Sequence, residues 1–465
     1  MTSWLADLAW VDGAVRERVG LDIGADGCLA AVTPGAGEGQ RIEGLVVPGL
    51  ANLHSHALQR AWMGLAGPAG GRVEGMRRLL EAATPDDLQA IAAQLYAECL
   101  LHGYSSVAAF HALHNAPDGR PYDDPAEMAL RLVAAAEQAG IGLRLLPVLH
   151  RHSGFGGAPP APGERRFILP VEAYGRLCQD LAEYVPVGVA AHALRTVTPD
   201  ELQAALVIAD LLGPATPVHI QIAAQAREVA DCLAWSGCRP VQWLLANAPV
   251  DARWCLVHAT HADPTECAAL AATGAVAGLC QSSEAGCGAG IFPLPSYLRH
   301  GGRFGIGSDA NRSTSPVEEL RWLDYVQRLV AQQRRVLPSS SGGSAGAWLL
   351  GQAAAGGAQA LGRPAGAVAP GLLADLVVLD PLHPSLVGRS GDGLLDAWVF
   401  AGSATPVRHV MVAGRWVVQH GVHVRGAEIA AAFSRTMRRL GGCFKQGQGS
   451  ALDPPRAERP LEPIT

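Results

Sequence analysis

The sequence predicts an α/β fold, a (β/α)8 TIM barrel with a small flanking β-sandwich domain built from both chain ends. Eight short β-rich runs follow one another between residues 45 and 308, most of them trailed by a helical pattern. Several runs are unbroken apolar stretches, the pattern of parallel strands buried on both faces. Strand–helix alternation sustained over eight units points to a closed parallel barrel. An open doubly wound sheet is the competing reading, and eight consecutive units exceed its usual count.

The predicted strands span residues 45–54, 104–111, 142–149, 187–192, 216–222, 254–259, 275–280 and 303–308. Between them, Thr84-Pro85-Asp86 sets a capping Thr before a first-turn Pro. Thr198-Pro199-Asp200-Glu201 adds the acid of a capping box. Gly103, Gly140, Gly213 and Gly237 are the helix stops. The flanks read differently. Residues 1–46 and 366–424 carry short strand patterns with turns, two halves of one β domain that the barrel (47–365) interrupts. Residues 425–440 predict a closing helix, and the Gly-, Pro- and charge-rich residues 441–465 predict a mobile tail.

Composition narrows the function. The 465 residues are 49% hydrophobic and 17% charged, which fits a well-buried globular chain. A net charge of −6 with no basic run argues against nucleic acid as a partner. No long uncharged apolar run marks a membrane span, and the N-terminus interleaves acids and Arg with its apolar residues, unlike a signal peptide. Ten Cys without CxxC spacing point to reduced thiols and a cytoplasmic location.

Chemistry-bearing residues gather at the predicted strand ends. His54-Ser55-His56 closes the first strand, and residues two apart on a strand face the same way, so both imidazoles can converge on one divalent metal. His111, His192, His219, His258 and Asp309 recur at or near the ends of later strands. In a parallel barrel those ends build the active site. One strand-end His is ordinarily a satisfied core residue; a set of them with an Asp on the last strand is not accounted for that way.

The residues Pro48-Gly49-Leu50-Ala51-Asn52-Leu53-His54-Ser55-His56 resemble the first-strand motif of the amidohydrolase superfamily, and more narrowly the N-formimidoyl-L-glutamate deiminases. The resemblance extends through Cys255-Leu256-Val257-His258-Ala259-Thr260-His261, Gly305-Ile306-Gly307-Ser308-Asp309 and Pro370-Gly371-Leu372-Leu373-Ala374-Asp375. It implies one zinc held by His54, His56, a fifth-strand His and Asp309. It also implies Asp309 and His258 as catalytic residues, Gln59, His192 and Arg195 as substrate-binding residues, and a homodimer. The fifth strand departs from the pattern. Where the family resembles His-Ile-His-Ile-Ala-Glu-Gln, this chain reads His219-Ile220-Gln221-Ile222-Ala223-Ala224-Gln225. The ligand position holds Gln221, with His219 two residues away as a second weaker candidate, and the acid–base Glu has become Ala224. The substrate pocket departs too: Ala112 replaces a Tyr, Gly286 an Asn, and an expected Arg falls near Val73 in an aromatic-free stretch over residues 64–77.

Together these features predict a divergent metal hydrolase that removes an imino or amidine-type nitrogen from a small molecule, with a substrate altered from formimidoylglutamate. The changes at 221 and 224 keep open two alternatives: a repurposed biosynthetic enzyme that does not hydrolyse, and a catalytically dead small-molecule-binding homologue.

Overall fold

The computed structural model describes residues 1–36, 38–63, 69–337 and 343–445. Eight parallel strands stand side by side in chain order: β5 (Leu50–Ser55), β6 (Tyr104–His111), β7 (Gly142–Leu149), β8 (Val189–Ala193), β9 (Val218–Ile222), β10 (Trp254–His258), β11 (Val276–Leu279) and β12 (Arg303–Ile306). The first predicted strand is in fact two. Residues 45–48 belong to a strand of the outer sheet (Gln40–Pro48), and the barrel strand starts afresh at Leu50. Gly49 makes the break. Its N–H donates to Asp375 O at 2.8 Å, while Leu50 N–H donates to Gly103 O at 3.1 Å, so the two neighbours serve different sheets.

The helix Pro85–His102 starts as its sequence requires. Thr84 accepts from Asp87 N–H, Asp87 accepts from Thr84 N–H at 2.8 Å, and Gly103 ends the helix at φ 106°. Helix Ala345–Leu361 lies directly on the barrel, and glycine makes the approach feasible. A Cβ on Gly356 would sit 1.9 Å from Phe304 O.

The outer sheet is a single eight-stranded mixed ladder. Strands β1 (Thr2–Val11), β2 (Ala14–Ile23), β3 (Leu29–Pro34) and β4 (Gln40–Pro48) join β13 (Leu376–Leu379), β14 (Val407–Val412), β15 (Arg415–Gln419) and β16 (Val422–His423). Strand β13 pairs antiparallel with β4, which unites the chain ends over a separate core that includes Leu21, Leu29, Val46, Leu376 and Met411. Asp375 ties this sheet to the barrel: buried, it takes Arg363 at 2.7 and 3.0 Å and Ala413 N–H at 2.8 Å. Helix Gly426–Lys445 follows and packs on Pro85–His102, with Arg439 paired to Asp87. Of the predicted mobile tail, residues 446–465 lie outside the described residues. No described helix is long and apolar enough to cross a membrane.

A buried polar seam joins the last barrel strand to the first. Asn52 accepts from Ser308 N–H at 3.0 Å and donates to Ser308 Oγ at 2.7 Å. Asn311 Oδ1 accepts from Ser308 Oγ at 2.6 Å and from Ser55 Oγ at 2.9 Å, while its amide donates to His56 O at 2.8 Å. Backbone bonds from Asp309 N to His54 O (2.9 Å) and from His56 N to Asp309 O (3.0 Å) complete the closure. Each member satisfies another, so deleting one strands a buried partner, at a cost of roughly 1–3 kcal/mol. Asn52→Leu is expected to lower unfolding free energy in urea by about 2 kcal/mol; unchanged stability would show that the seam adds nothing to closure.

Candidate active site

The seam places the first- and eighth-strand side chains together at the C-terminal mouth of the barrel. His54 Nε2 lies 3.7 Å and His56 Nε2 3.5 Å from Asp309 Oδ1. Ligand atoms of His54, His258 and Asp309 all fall within 4.8 Å of one another. Several of these strand ends carry left-handed backbone on non-glycine residues: Ala223 (φ 48°), His258 (φ 69°), Ala259 (φ 47°) and Asp309 (φ 44°). Such strain gathers where a chain must aim side chains at a common point.

The residues suit a divalent ion. Ligands about 2.1 Å from a tetrahedral ion lie about 3.4 Å apart, which the 3.5 and 3.7 Å separations approximate. A ligating imidazole must be neutral, and the environment keeps both rings so. Burial lowers the pKa of His54 far below its ordinary value, helped by His56 and His258. Burial also lowers that of His56, outweighing the opposing pull of Asp309. Gln221, on β9, enters the same cluster as an amide: its Nε2 lies 3.1 Å from Nε2 of each ring. The amide donates, so each imidazole accepts and carries its proton on Nδ1. His54 and His56 thus both approach Asp309, with the Gln221 amide set between the two rings.

His219 does not join them. Although it shares a strand face with Gln221, its Nε2 donates to Ala360 O at 2.8 Å, and burial lowers its pKa to about 4. His258 is held from behind by Glu284, whose Oε1 lies 3.1 Å from Nδ1. Burial disfavours the charged His258 ring, but Glu284 and Asp309 outweigh it and raise its pKa. At position 224, Ala offers no proton carrier. Glu228, one helical turn further on, accepts from Ala223 N–H at 3.0 Å and Ala224 N–H at 2.9 Å. Both its oxygens are thus engaged by backbone, and desolvation raises its pKa.

Next to the cluster opens a cavity of about 420 Å³. Its walls include Leu58, Met76, Leu80, Phe110 and Phe167, and its polar side includes His56, Gln59, His111, His192 and Arg195. Gln59 stands on the turn Ala57–Trp62 and Arg195 on the turn Leu194–Thr196. Arg195 lines the cavity with the Glu228 carboxylate as an electrostatic neighbour, and a guanidinium there suits an anion. Burial lowers the pKa of His111 and of His192 far below the ordinary value, so both are neutral. Ala112 also lines the cavity. A Cβ at Gly286 would meet Arg312 Nε at 2.2 Å, so Arg312 occupies the space of a side chain there. Residues 64–68, part of the altered segment after the first strand, lie outside the described residues, and no side chain is described at Val73.

Sequence reasoning missed one end of this cavity. His150 follows directly on β7, at the strand-end position used to find the other His, and it packs 5.0 Å from the His192 ring. Neither of its ring nitrogens has a hydrogen-bond partner, and Glu164 Oε1 stands 3.5 Å away. Glu164 sits on a short turn with no motif around it. Burial opposes its ionisation, but His150, Ser153 and Ala161 N–H outweigh that and lower its pKa to about 2. Buried ring nitrogens of His111 and His192 are likewise unpartnered, so this end of the cavity is shaped for a polar group.

A parallel barrel with paired His on its first strand and an Asp on its last is the frame of a metal-assisted hydrolase. The amidohydrolase family model matches residues 45–417. The formimidoylglutamate deiminase of Pseudomonas aeruginosa is 49% identical over 456 residues, which cover 95% of this chain and 100% of the deiminase. A crystal structure of an amidohydrolase from Brucella melitensis matches with a TM-score of 0.88 at 41% identity, covering 95% of this chain and 100% of its own. A zinc-bound adenosine deaminase from Xanthomonas campestris shares the fold, with a TM-score of 0.78 at 22% identity over 95% and 98% of the two chains. The chain belongs to the amidohydrolase family.

Because His219 is pinned to Ala360, His219→Ala is expected to leave metal content per folded chain unchanged while lowering stability by about 1–3 kcal/mol. Loss of metal from a well-folded variant would put His219 back among the ligands.

Proposed function

We propose that this chain, a hydrolase of carbon–nitrogen bonds, releases ammonia from an imino or amidine-type group on a small carboxylate-bearing molecule. The observation that carries the reading is the approach of His54 and His56 to Asp309 beside a cavity lined by Arg195. The residues that would hold the ion are His54, His56 and Asp309, and the zinc-bound relative makes zinc the metal of choice. Zinc supplies a Lewis acid that makes water a nucleophile near neutral pH.

The protein's own groups then divide the work. Arg195 binds the carboxylate and Gln59 orients the chain beside it, which fixes the imino carbon at the cluster. His192, kept neutral by burial, offers a hydrogen bond rather than a charge. Water oxygen bonds to the imino carbon as Asp309 takes its proton, and the C=N pair moves onto nitrogen. Protonated Asp309 delivers that proton to the nitrogen. The new hydroxyl then loses its proton to Asp309, which hands it to the amino nitrogen; the C=O forms, the C–N bond breaks and ammonia leaves. Both transfers fall to Asp309, because residue 224 is Ala and the Glu228 oxygens are held by backbone. Losing a dedicated carrier slows such reactions about 10²–10⁴-fold, so turnover on formimidoylglutamate is expected to be slow.

The test is ammonia release from formimidoylglutamate and from a panel of imino and amidino acids. Asp309→Asn is expected to abolish turnover, a fall of at least about 10²-fold. Unchanged turnover would sink the assignment. Arg195→Met is expected to raise KM about 10–100-fold for carboxylate substrates with a smaller change in kcat. An unchanged KM would remove Arg195 from the pocket's recognition groups.

A further inference from the structure

A chain of rings leads from the His54 cluster to a second polar end of the cavity. His54 packs on Phe110, Phe110 on His192 and His192 on His150, at centroid separations of 4.5, 6.0 and 5.0 Å. At that end stands Glu164, the one carboxylate among the described residues that line the cavity. Local contacts hold it in place. Its Oε2 accepts from Ala161 N–H at 2.8 Å and from Ser153 Oγ, and Ser153 Oγ accepts from the same N–H at 2.7 Å. Its Oε1 has His150 Nε2 beside it at 3.5 Å, an ion-pair distance, and the Glu164 side chain stays 21% exposed against 5% for His150. The contacts that lower its pKa to about 2 keep it charged at neutral pH.

The surrounding rings add polar atoms without satisfying one another. Both His150 nitrogens, His192 Nδ1 and His111 Nε2 are buried with no hydrogen-bond partner. Unpartnered ring nitrogens around a fixed carboxylate suit a group that carries several N–H bonds. We propose that Glu164, with His150 beside it, is the specificity-determining subsite for a cationic end of the substrate, an ammonium group on the same small molecule whose carboxylate Arg195 takes. An ammonium there exchanges water for charge-assisted hydrogen bonds. A second carboxylate would instead be desolvated against Glu164. The substrate class is therefore a derivative of a basic amino acid with one carboxylate. The subsite rests on the proposed reading that Arg195 holds a carboxylate in this cavity, and not on which bond is cleaved. The rival role for Glu164 is a brace for residues 153–164. Glu164→Gln separates the two, because it keeps an acceptor oxygen for Ser153 and Ala161 and removes the charge.

Binding is measured by calorimetry with the Nα-acetyl derivatives of ornithine, lysine, glutamine and glutamate. These carry no imino nitrogen, so they report the subsite apart from turnover; the Nα-formimidoyl counterparts are assayed in parallel for ammonia release. Wild type is expected to bind acetylornithine or acetyllysine at least about tenfold more tightly than acetylglutamate. Glu164→Gln is expected to weaken that ammonium ligand at least about tenfold while acetylglutamine stays within about threefold. Loss of a brace would weaken all four ligands alike. His150→Phe, which keeps a ring against His192 and Phe167, is expected to weaken the ammonium ligand about threefold to tenfold. If circular dichroism shows that Glu164→Gln does not fold, the wild-type order and His150→Phe decide. Acetylglutamate bound as tightly as the ammonium ligands by wild type, an equal loss for every ligand in Glu164→Gln, or binding of none of the four overturns the inference. Ammonia from none of the formimidoyl compounds, with the charge order of the acetyl ligands intact, would instead sink the reaction reading and leave the subsite standing.

Discussion

The buried seam between the first and eighth barrel strands is the constraint on which the remainder of the molecule depends. It closes the barrel with side chains that saturate one another, Asn52 with Ser308 and Asn311 with Ser55. The same few residues set the site, because His54 and His56 alternate with Ser55 on one strand and Asp309 follows Ser308 on the other. Ser55 and Asp309 even form an isolated parallel bridge. A register slip of one residue would turn both His away from Asp309. Closure and catalytic geometry are thus one interaction described twice, and a polar network is suited to it because only one register satisfies every donor.

How far the sequence could be read follows from which residues carry local signals. The middle strands were legible because apolar runs such as Tyr104–His111 and Gly142–Leu149 are bounded by Gly and caps, and their limits in the structure match the expectation. The first strand was not, because residues 45–54 read as one strand pattern running across Gly49. Periodicity cannot tell which sheet each half joins; only the pairing of Leu45 to Pro48 with β13 decides it. In the site, His54, His56, His258 and Asp309 were legible as strand-end residues. Which of two same-face candidates on β9 enters the cluster was not, since His219 and Gln221 differ only in how far along the barrel axis they lie. Ala360 O, more than a hundred residues later, settles that difference. Glu164 carried no signal at all, being on an irregular turn whose approach to His150 is a tertiary event.

Two substitutions with different physics meet at one strand. Gln221 stands where the family resemblance implies a His ligand and is a polar group of similar reach, so the cluster stays assembled: its amide meets two ring nitrogens that would otherwise face each other. At 224, where the resemblance implies a Glu, Ala carries no ionisable group, and the nearby Glu228 carboxylate is bound up in holding the Ala223–Ala224 turn. On the proposed reading, the second concentrates proton transfer on Asp309.

That concentration constrains what the pocket can use. A single carboxylate that both receives and returns protons works best when the attacking water and the departing nitrogen lie close to it, which favours a compact reacting group such as an imine over a bulky leaving group. The cavity agrees in its division of labour. Its apolar walls, Leu58, Met76, Leu80 and Phe110, fit a carbon skeleton, while Arg195 is a cation on the polar side, with the Glu228 carboxylate acting on it from behind. Glu164, held ionised opposite His150, makes the far end hostile to a second anion. A substrate with one carboxylate near Arg195 and a basic or neutral polar end satisfies both charges, whereas a second carboxylate would have to be desolvated beside Glu164 without a partner.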